Sequence, residues 1–187
     1  MIMDTKALFA VLLVAGIIGG FSVNNYLMEE DTADMETETV ADNNNEQVEV
    51  GSEAPDFTLT DTDGNEFNLS DYEGEKVLVV EFMNMNCGTC KNFESNTMKS
   101  YCNDSMPEDV EVISVTQTKN ADESELAERT DEMGWRFMKG SSEMTDAFDA
   151  NRSPTVVIID KEGMVTFSNS GSMSKSELEE KINSALE

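Results

Sequence analysis

The sequence predicts an α/β layer sandwich built on a mixed sheet. Two observations predict it. First, β-branched apolar runs alternate with helical stretches: Lys76–Met83, Thr89–Asn103, Val110–Thr116 and Asp122–Met133. Strands that alternate with helices form βαβ units with parallel strands. Second, Thr155–Asp160 and Met164–Ser168 are joined only by the short turn Asp160-Lys161-Glu162-Gly163, so this later pair is an antiparallel hairpin.

The elements follow in order. Phe57–Thr60 and Glu66–Leu69 flank Asp61-Thr62-Asp63-Gly64-Asn65, the pattern of a hairpin and its turn. Leu69–Gly74 reads as a turn or short helical corner. The run from Val77 to Met83 is apolar except for Glu81, which predicts a central strand buried on both faces. Asp122 or Ser124 caps the helix that follows the second long strand. Trp135–Met138 is a short strand and Ser142–Ala150 a short helix. Ser174–Leu186 closes the chain as a helix, with Ser174 or Ser176 as its cap. Trp135 and the scattered Phe residues read as core, and Met83, Met85 and Met106 as a soft apolar rim for partners.

This domain is expected over residues 51–187. Residues 1–28 hold the apolar, uncharged run Ala7–Val23, whose seventeen residues sit at the lower limit for a membrane span. Lys6 precedes the run and Glu29, Glu30 and Asp31 follow it. The positive-inside rule then puts the N-terminus in the cytoplasm and the domain outside. Gly20 and Ser22 make a poor cleavage site, which supports an uncleaved anchor over a signal peptide and a secreted domain. Residues 29–50 carry nine acidic side chains and no Lys or Arg. Such a segment buries too little apolar surface to order itself, and it is expected to be an extended tether.

Charge and composition exclude several functions. The chain has 39 Asp and Glu against 12 Lys and Arg, a net charge of −27. Nucleic acid and anionic lipid need basic patches, so neither is the expected partner. There is no histidine, which removes His-based acid–base catalysis and His metal ligands. Three cysteines are too few for a disulfide scaffold and fit one redox pair with one spare.

The pair is Cys87-Gly88-Thr89-Cys90, delivered by the buried strand to the start of a helix. Free backbone N–H groups and the helix dipole at that end favour a thiolate. This is the layout of a thiol–disulfide redox site. Zinc is the rival reading of two close cysteines, but a tetrahedral site needs four Cys or His ligands and no second pair exists. Cys102 would stand about 18 Å along the helix from Cys90, too far to bridge. It reads as a buried structural thiol, with a surface thiol bridging two chains as the alternative.

With these residues in view, the chain resembles the thioredoxin superfamily, and within it the membrane-anchored redoxins of the cytochrome-maturation and peroxiredoxin-like branch. The resemblance rests on Gly51-Ser52-Glu53-Ala54-Pro55-Asp56-Phe57 with Leu59, on Asp63-Gly64, and on Leu69-Ser70-Asp71-Tyr72-Glu73-Gly74. It continues through the strand into Cys87-Gly88-Thr89-Cys90, then Ser153-Pro154-Thr155 before Val156–Asp160. It covers nearly all of residues 51–187. It implies a thioredoxin fold, a mixed central sheet flanked by helices, with an N-terminal β-hairpin extension. It also implies a Cys87–Cys90 disulfide, with Cys87 as nucleophile, Cys90 as resolving thiol and a cis Pro154 beside them.

Glu81 occupies the place where thioredoxins carry a buried acidic residue beneath the resolving cysteine. It is the candidate acceptor of the Cys90 proton; a carboxylate reaching the sheet edge or pairing with a Lys is the alternative. Gly88, Thr89 and Ser153 are the candidate substrate-binding residues, Ser153 by backbone pairing with an incoming peptide. Asn86 stands where an aromatic residue is usual, and Thr89 where Pro or His is usual, so the direction of electron flow is open. Asn84 replaces the Thr that the peroxidase pattern expects, which argues against a peroxidase. The expected activity is dithiol–disulfide exchange with protein substrates, as a reductase, without a dissociable cofactor and with an unidentified electron donor or acceptor. The alternatives are an oxidase or isomerase with the same residues, and a non-catalytic binding module.

Overall fold

The computed structural model describes residues 48–187. The expected anchor and most of the tether fall on residues 1–47 and lie outside the described residues. No helix among the described residues is long and apolar enough to cross a membrane. Val48, at the end of the expected tether, packs against the core, and its N–H donates to the Ala147 carbonyl at 2.9 Å.

A hairpin of β1 (Thr58–Thr60) and β2 (Glu66–Asn68) comes first. Its turn is held by Asp61, whose Oδ1 accepts from the N–H groups of Asp63 and Asn65. A single 3₁₀ turn, Leu69–Asp71, leads to the main sheet. That sheet contains β3 (Val77–Met83), β4 (Val110–Thr116), β5 (Arg136–Lys139), β6 (Thr155–Ile159) and β7 (Val165–Ser170). Their spatial order is β5-β4-β3-β6-β7. Strands β3, β4 and β5 are parallel, whereas β6 and β7 are antiparallel to their neighbours. The expected mixed sheet with a hairpin extension is therefore what forms, and β3 is central with every residue buried.

After β3 the chain runs helically from Gly88 to Asp104, through α1 (Gly88–Phe93), one π-helical stretch (Glu94–Met98) and α2 (Lys99–Asp104). The sequence pattern predicts one plain helix here. Ser95 Oγ and the Asn96 amide instead donate to the carbonyls of Lys91 and Asn92, four residues back. Those bonds compete for the carbonyls that α-helical N–H groups would use. Helix α3 (Glu123–Met133) is capped by Asp122, which accepts from Ser124 N–H at 2.8 Å, and it ends at Gly134 in the left-handed region. Helix α4 (Ser142–Ala147) stops short of the expected Ala150, because the chain turns at Asp149 with φ 47°. Helix α5 (Lys175–Ala185) is capped by Ser174.

Alternation along β3 sorts the core into two layers. Val77, Val79 and Met83 face α1, α2, α3 and α5, and they pack with Cys90, Phe93, Leu126, Leu178 and Ile182. Leu78, Val80 and Phe82 face the opposite way and pack with Phe67 of the hairpin and Phe148 just after α4.

Candidate active site

Strand β3 ends at Met83 and the loop 84–86 hands the chain to α1. This loop is tied down: Met85 N–H donates to Thr118 Oγ1 at 3.2 Å, Asn86 N–H to Asn84 Oδ1 at 3.1 Å, and Cys87 N–H to the Asn84 carbonyl at 3.0 Å. Cys87 is the N-cap of α1 in an extended conformation, and Cys90 N–H donates to Cys87 Sγ at 3.0 Å. A thiolate at Cys87 would keep that bond and gain strength from its charge. The two cysteines are joined as a disulfide, with Cα atoms 5.2 Å apart. Cys87 is half-buried, Gly88 and Thr89 are exposed, and Cys90 is fully buried. An incoming group therefore meets Cys87 before Cys90.

The loop before β6 completes the site. The Ser153–Pro154 peptide bond is cis, and the Ser153 carbonyl oxygen lies 3.6 Å from Cys87 Sγ. Ser153 Oγ donates to Gln117 Oε1 at 3.1 Å, and the Gln117 side-chain amide donates to the Ala150 carbonyl. Gln117 N–H in turn donates to the Met83 carbonyl at 2.9 Å. One residue at the end of β4 thus couples the proline loop to the strand that carries the cysteines.

Beneath α1 the sheet carries charge. Glu81 alternates with Val79 and Met83, so it points to the helix layer that contains Cys90. It is wholly buried in the central strand, neither at a sheet edge nor beside a Lys. Parallel pairing sets Ser114 opposite it, and Ser114 Oγ donates to Glu81 Oε2 at 2.6 Å. Trp135 Nε1–H donates to Ser114 Oγ at 2.9 Å. Glu81 Oε1 has no hydrogen-bond partner among the described residues. Burial pushes the Glu81 carboxyl up from 4.5 to about 7, against the opposing pull of the Ser114 bond and the Arg129 charge.

Arg129 and Glu94 were not singled out in the sequence. Arg129 projects from the buried stripe of α3 between Leu126 and Met133, and it forms an ion pair with Glu94 of the π stretch. Its guanidinium lies 4.8 Å from the Phe137 ring centre and 4.0 Å from Met85 Sδ. The signal was present as spacing. Arg129 falls on the apolar stripe of its helix, and Glu94 lies one turn beyond Cys90 on the same buried face. The expected methionine rim does not form. Met83 and Met85 are 0% and 3% exposed, because the strand end and the tied loop turn both side chains inward. Met106 alone of the three is exposed. Cys102 is a free, half-buried thiol packed against the helix layer, and burial pushes its pKa up to about 11.

A cysteine pair at a helix N-terminus, facing a cis-proline loop on a thioredoxin-like sheet, defines the class of thioredoxin-fold proteins with a redox-active disulfide. A model of the Redoxin family matches residues 49–186, so the chain belongs to that family. It is 30% identical over 184 residues to the thiol-disulfide oxidoreductase ResA of Geobacillus kaustophilus, covering 94% of this chain and 92% of that one. It is 30% identical over 152 residues to ResA of Bacillus subtilis, covering 74% and 76%. The thioredoxin domain of a thiol-disulfide oxidoreductase from Bacteroides vulgatus superposes with a TM-score of 0.61 at 20% identity, covering 73% of this chain and all of that one. At that identity the likeness speaks for the fold.

Proposed function

We propose that this protein is a membrane-anchored reductase of protein disulfides that works outside the cytoplasmic membrane. It is a thiol–disulfide oxidoreductase of the thioredoxin fold, in keeping with its ResA relatives. The observation that carries the mechanism is the bonded Cys87–Cys90 pair, with Cys87 Sγ at the Ser153 carbonyl and with Cys90 and Glu81 both buried on the helix side of the sheet.

In the reduced protein the Cys87 thiolate attacks one sulfur of a partner disulfide, and the other partner sulfur leaves as thiolate and takes a proton from water. The partner segment lies along the Ser153–Pro154 loop, beside the exposed Gly88 and Thr89. Cys90 then gives its proton to Glu81, and its thiolate attacks Cys87 Sγ. The second partner sulfur leaves, the Cys87–Cys90 disulfide forms, and two electrons have passed to the partner. A carboxyl that titrates near neutrality is matched to this transfer. A dithiol donor of unidentified nature restores the reduced pair. The location rests on the apolar run Ala7–Val23 and on the match to the Geobacillus protein, which extends over 94% of the chain, beyond the family match that begins at residue 49.

The test is Cys90→Ser in the full chain. Cys87 should then hold a partner protein as a stable mixed disulfide that dithiothreitol releases. No trapped partner would favour a non-catalytic module. Equilibration with glutathione at known ratios decides the direction: a pair far more reducing than glutathione supports the reductase, and one as oxidising as disulfide-forming enzymes overturns it. Protease added outside intact cells should digest the domain if it lies beyond the membrane.

A further inference from the structure

Three segments adjoin at the sulfur pair's end of the sheet: the cysteine loop and first turns of α1 (residues 84–93), the loop after β4 (117–121) and the proline loop (150–155). Hydrogen bonds link them directly, through Thr118 to Met85 and through Gln117 to Ser153. Together they contain Lys91, Lys119 and Arg152 and no Asp or Glu, in a chain with 39 acidic residues and a net charge of −27. All three cations are exposed. None is in an ion pair among the described residues, where every other Lys or Arg except Lys99 is paired with a carboxylate. Asp149, the acid closest to Arg152 in sequence, accepts a bond from Asn151 Nδ2 at 2.9 Å.

We propose that this basic rim docks a partner protein whose reactive cysteines lie in an acidic segment. The proposal rests on the reading of Cys87 and Cys90 as an exchange site, and it adds the chemistry of what that site selects. At physiological ionic strength charges are screened beyond about 8 Å. A segment seated on Cys87 therefore meets first the loops that carry these three cations, and the acidic surface farther off is screened from it. Charge complementarity at that range selects partners, and like charges facing each other are costly. A rim that served only to favour the Cys87 thiolate would speed exchange with every disulfide alike. A docking rim discriminates between them.

The experiment compares two peptides, each with the same disulfide-closed ring, one flanked by Asp and Glu and the other by Lys. The full chain is assayed with both at 0.15 M salt. The acidic peptide should be reduced with a kcat/KM about tenfold above that of the basic one. The triple variant Lys91→Glu, Lys119→Glu and Arg152→Glu, checked for an unchanged circular dichroism spectrum, should invert the ratio. A ratio of one or below in the wild type, or a ratio that the triple variant leaves unmoved, overturns the proposal. Exchange with neither peptide would defeat the reading of the site itself. The rim is then judged on the Kd of the same peptides with Ser in place of Cys, by fluorescence anisotropy, against the same tenfold preference.

Discussion

The two faces of the sheet are built to opposite rules. On the hairpin side, Leu78, Val80, Phe82, Ile113, Val115, Val157 and Ile159 meet Phe67, Phe148 and Met144 with no buried charge. On the helix side, the same strands carry Glu81, Ser114 and Thr116, and the helices add Glu94 and Arg129. The side chains of both faces are buried. Apolar burial on the first contributes stability without tuning anything. On the second, the low dielectric makes each charge depend on its neighbours, so protonation there can be coupled to the chemistry at Cys90.

The largest effect should come from the sulfur itself. Cys87→Ser should lose at least about 10³-fold in peptide-disulfide reduction while the domain keeps its near-UV circular dichroism spectrum. Loss of fold instead would mean that the disulfide, not the sheet, carries the structure.

Next come two substitutions of similar cost on opposite faces. Phe82→Ala should destabilise the domain by about 3–5 kcal/mol in urea unfolding, and Arg129→Met by about 3–5 kcal/mol because Glu94 is left buried without its cation. The faces differ in rescue. Adding Glu94→Gln to Arg129→Met should recover most of the loss, since both charges leave together. If it does not, the Arg129–Glu94 pair is packing and the contrast between the faces fails.

A smaller effect lies in pH dependence. The folded state raises the Glu81 carboxyl from 4.5 to about 7, so it holds a proton that the unfolded chain releases. The stability this confers is complete below the unfolded pKa and is lost as pH rises through the folded one. At about 1.4 kcal/mol per pH unit, the decline across this window is about 3–4 kcal/mol. Glu81→Gln should flatten the decline and remove the rise near pH 7 in the rate at which Cys90 resolves a mixed disulfide. A parallel decline in the variant would assign the pH dependence to another group.

The smallest effect is at Cys102. Cys102→Ala should change stability by no more than about 1 kcal/mol and leave exchange unaltered. In the wild type this thiol should react slowly with iodoacetamide at pH 8, because its pKa is raised to about 11.

Much of the molecule was legible in the chain. The uninterrupted run around Val77–Val80 declared a central strand, and the Cys-x-x-Cys after it declared the site, because strand burial and helix N-terminal chemistry are local consequences of residue type. Asp61-Thr62-Asp63-Gly64-Asn65 declared its turn for the same reason. Glu81 was visible as the one charge in an apolar strand. Arg129 was legible only as spacing, on the apolar stripe with Leu126 and Met133, and its partner Glu94 was not, because the pairing depends on how α3 docks. The π stretch was hidden as well, since Ser95 and Asn96 are compatible with an ordinary helix.

The sequence by itself determined the order of elements, the two sulfurs and the polarity of the strand that presents them, all of which depend on neighbours within a few residues. Only the tertiary structure decided which charges are buried together, that Met83 and Met85 turn inward, and that the loops bearing Lys91, Lys119 and Arg152 are joined beside one sulfur pair. Those facts depend on segments far apart in the chain, brought together by burial of a common sheet. Electrostatic interactions act through that spatial arrangement, at distances that a residue's place in the chain does not specify.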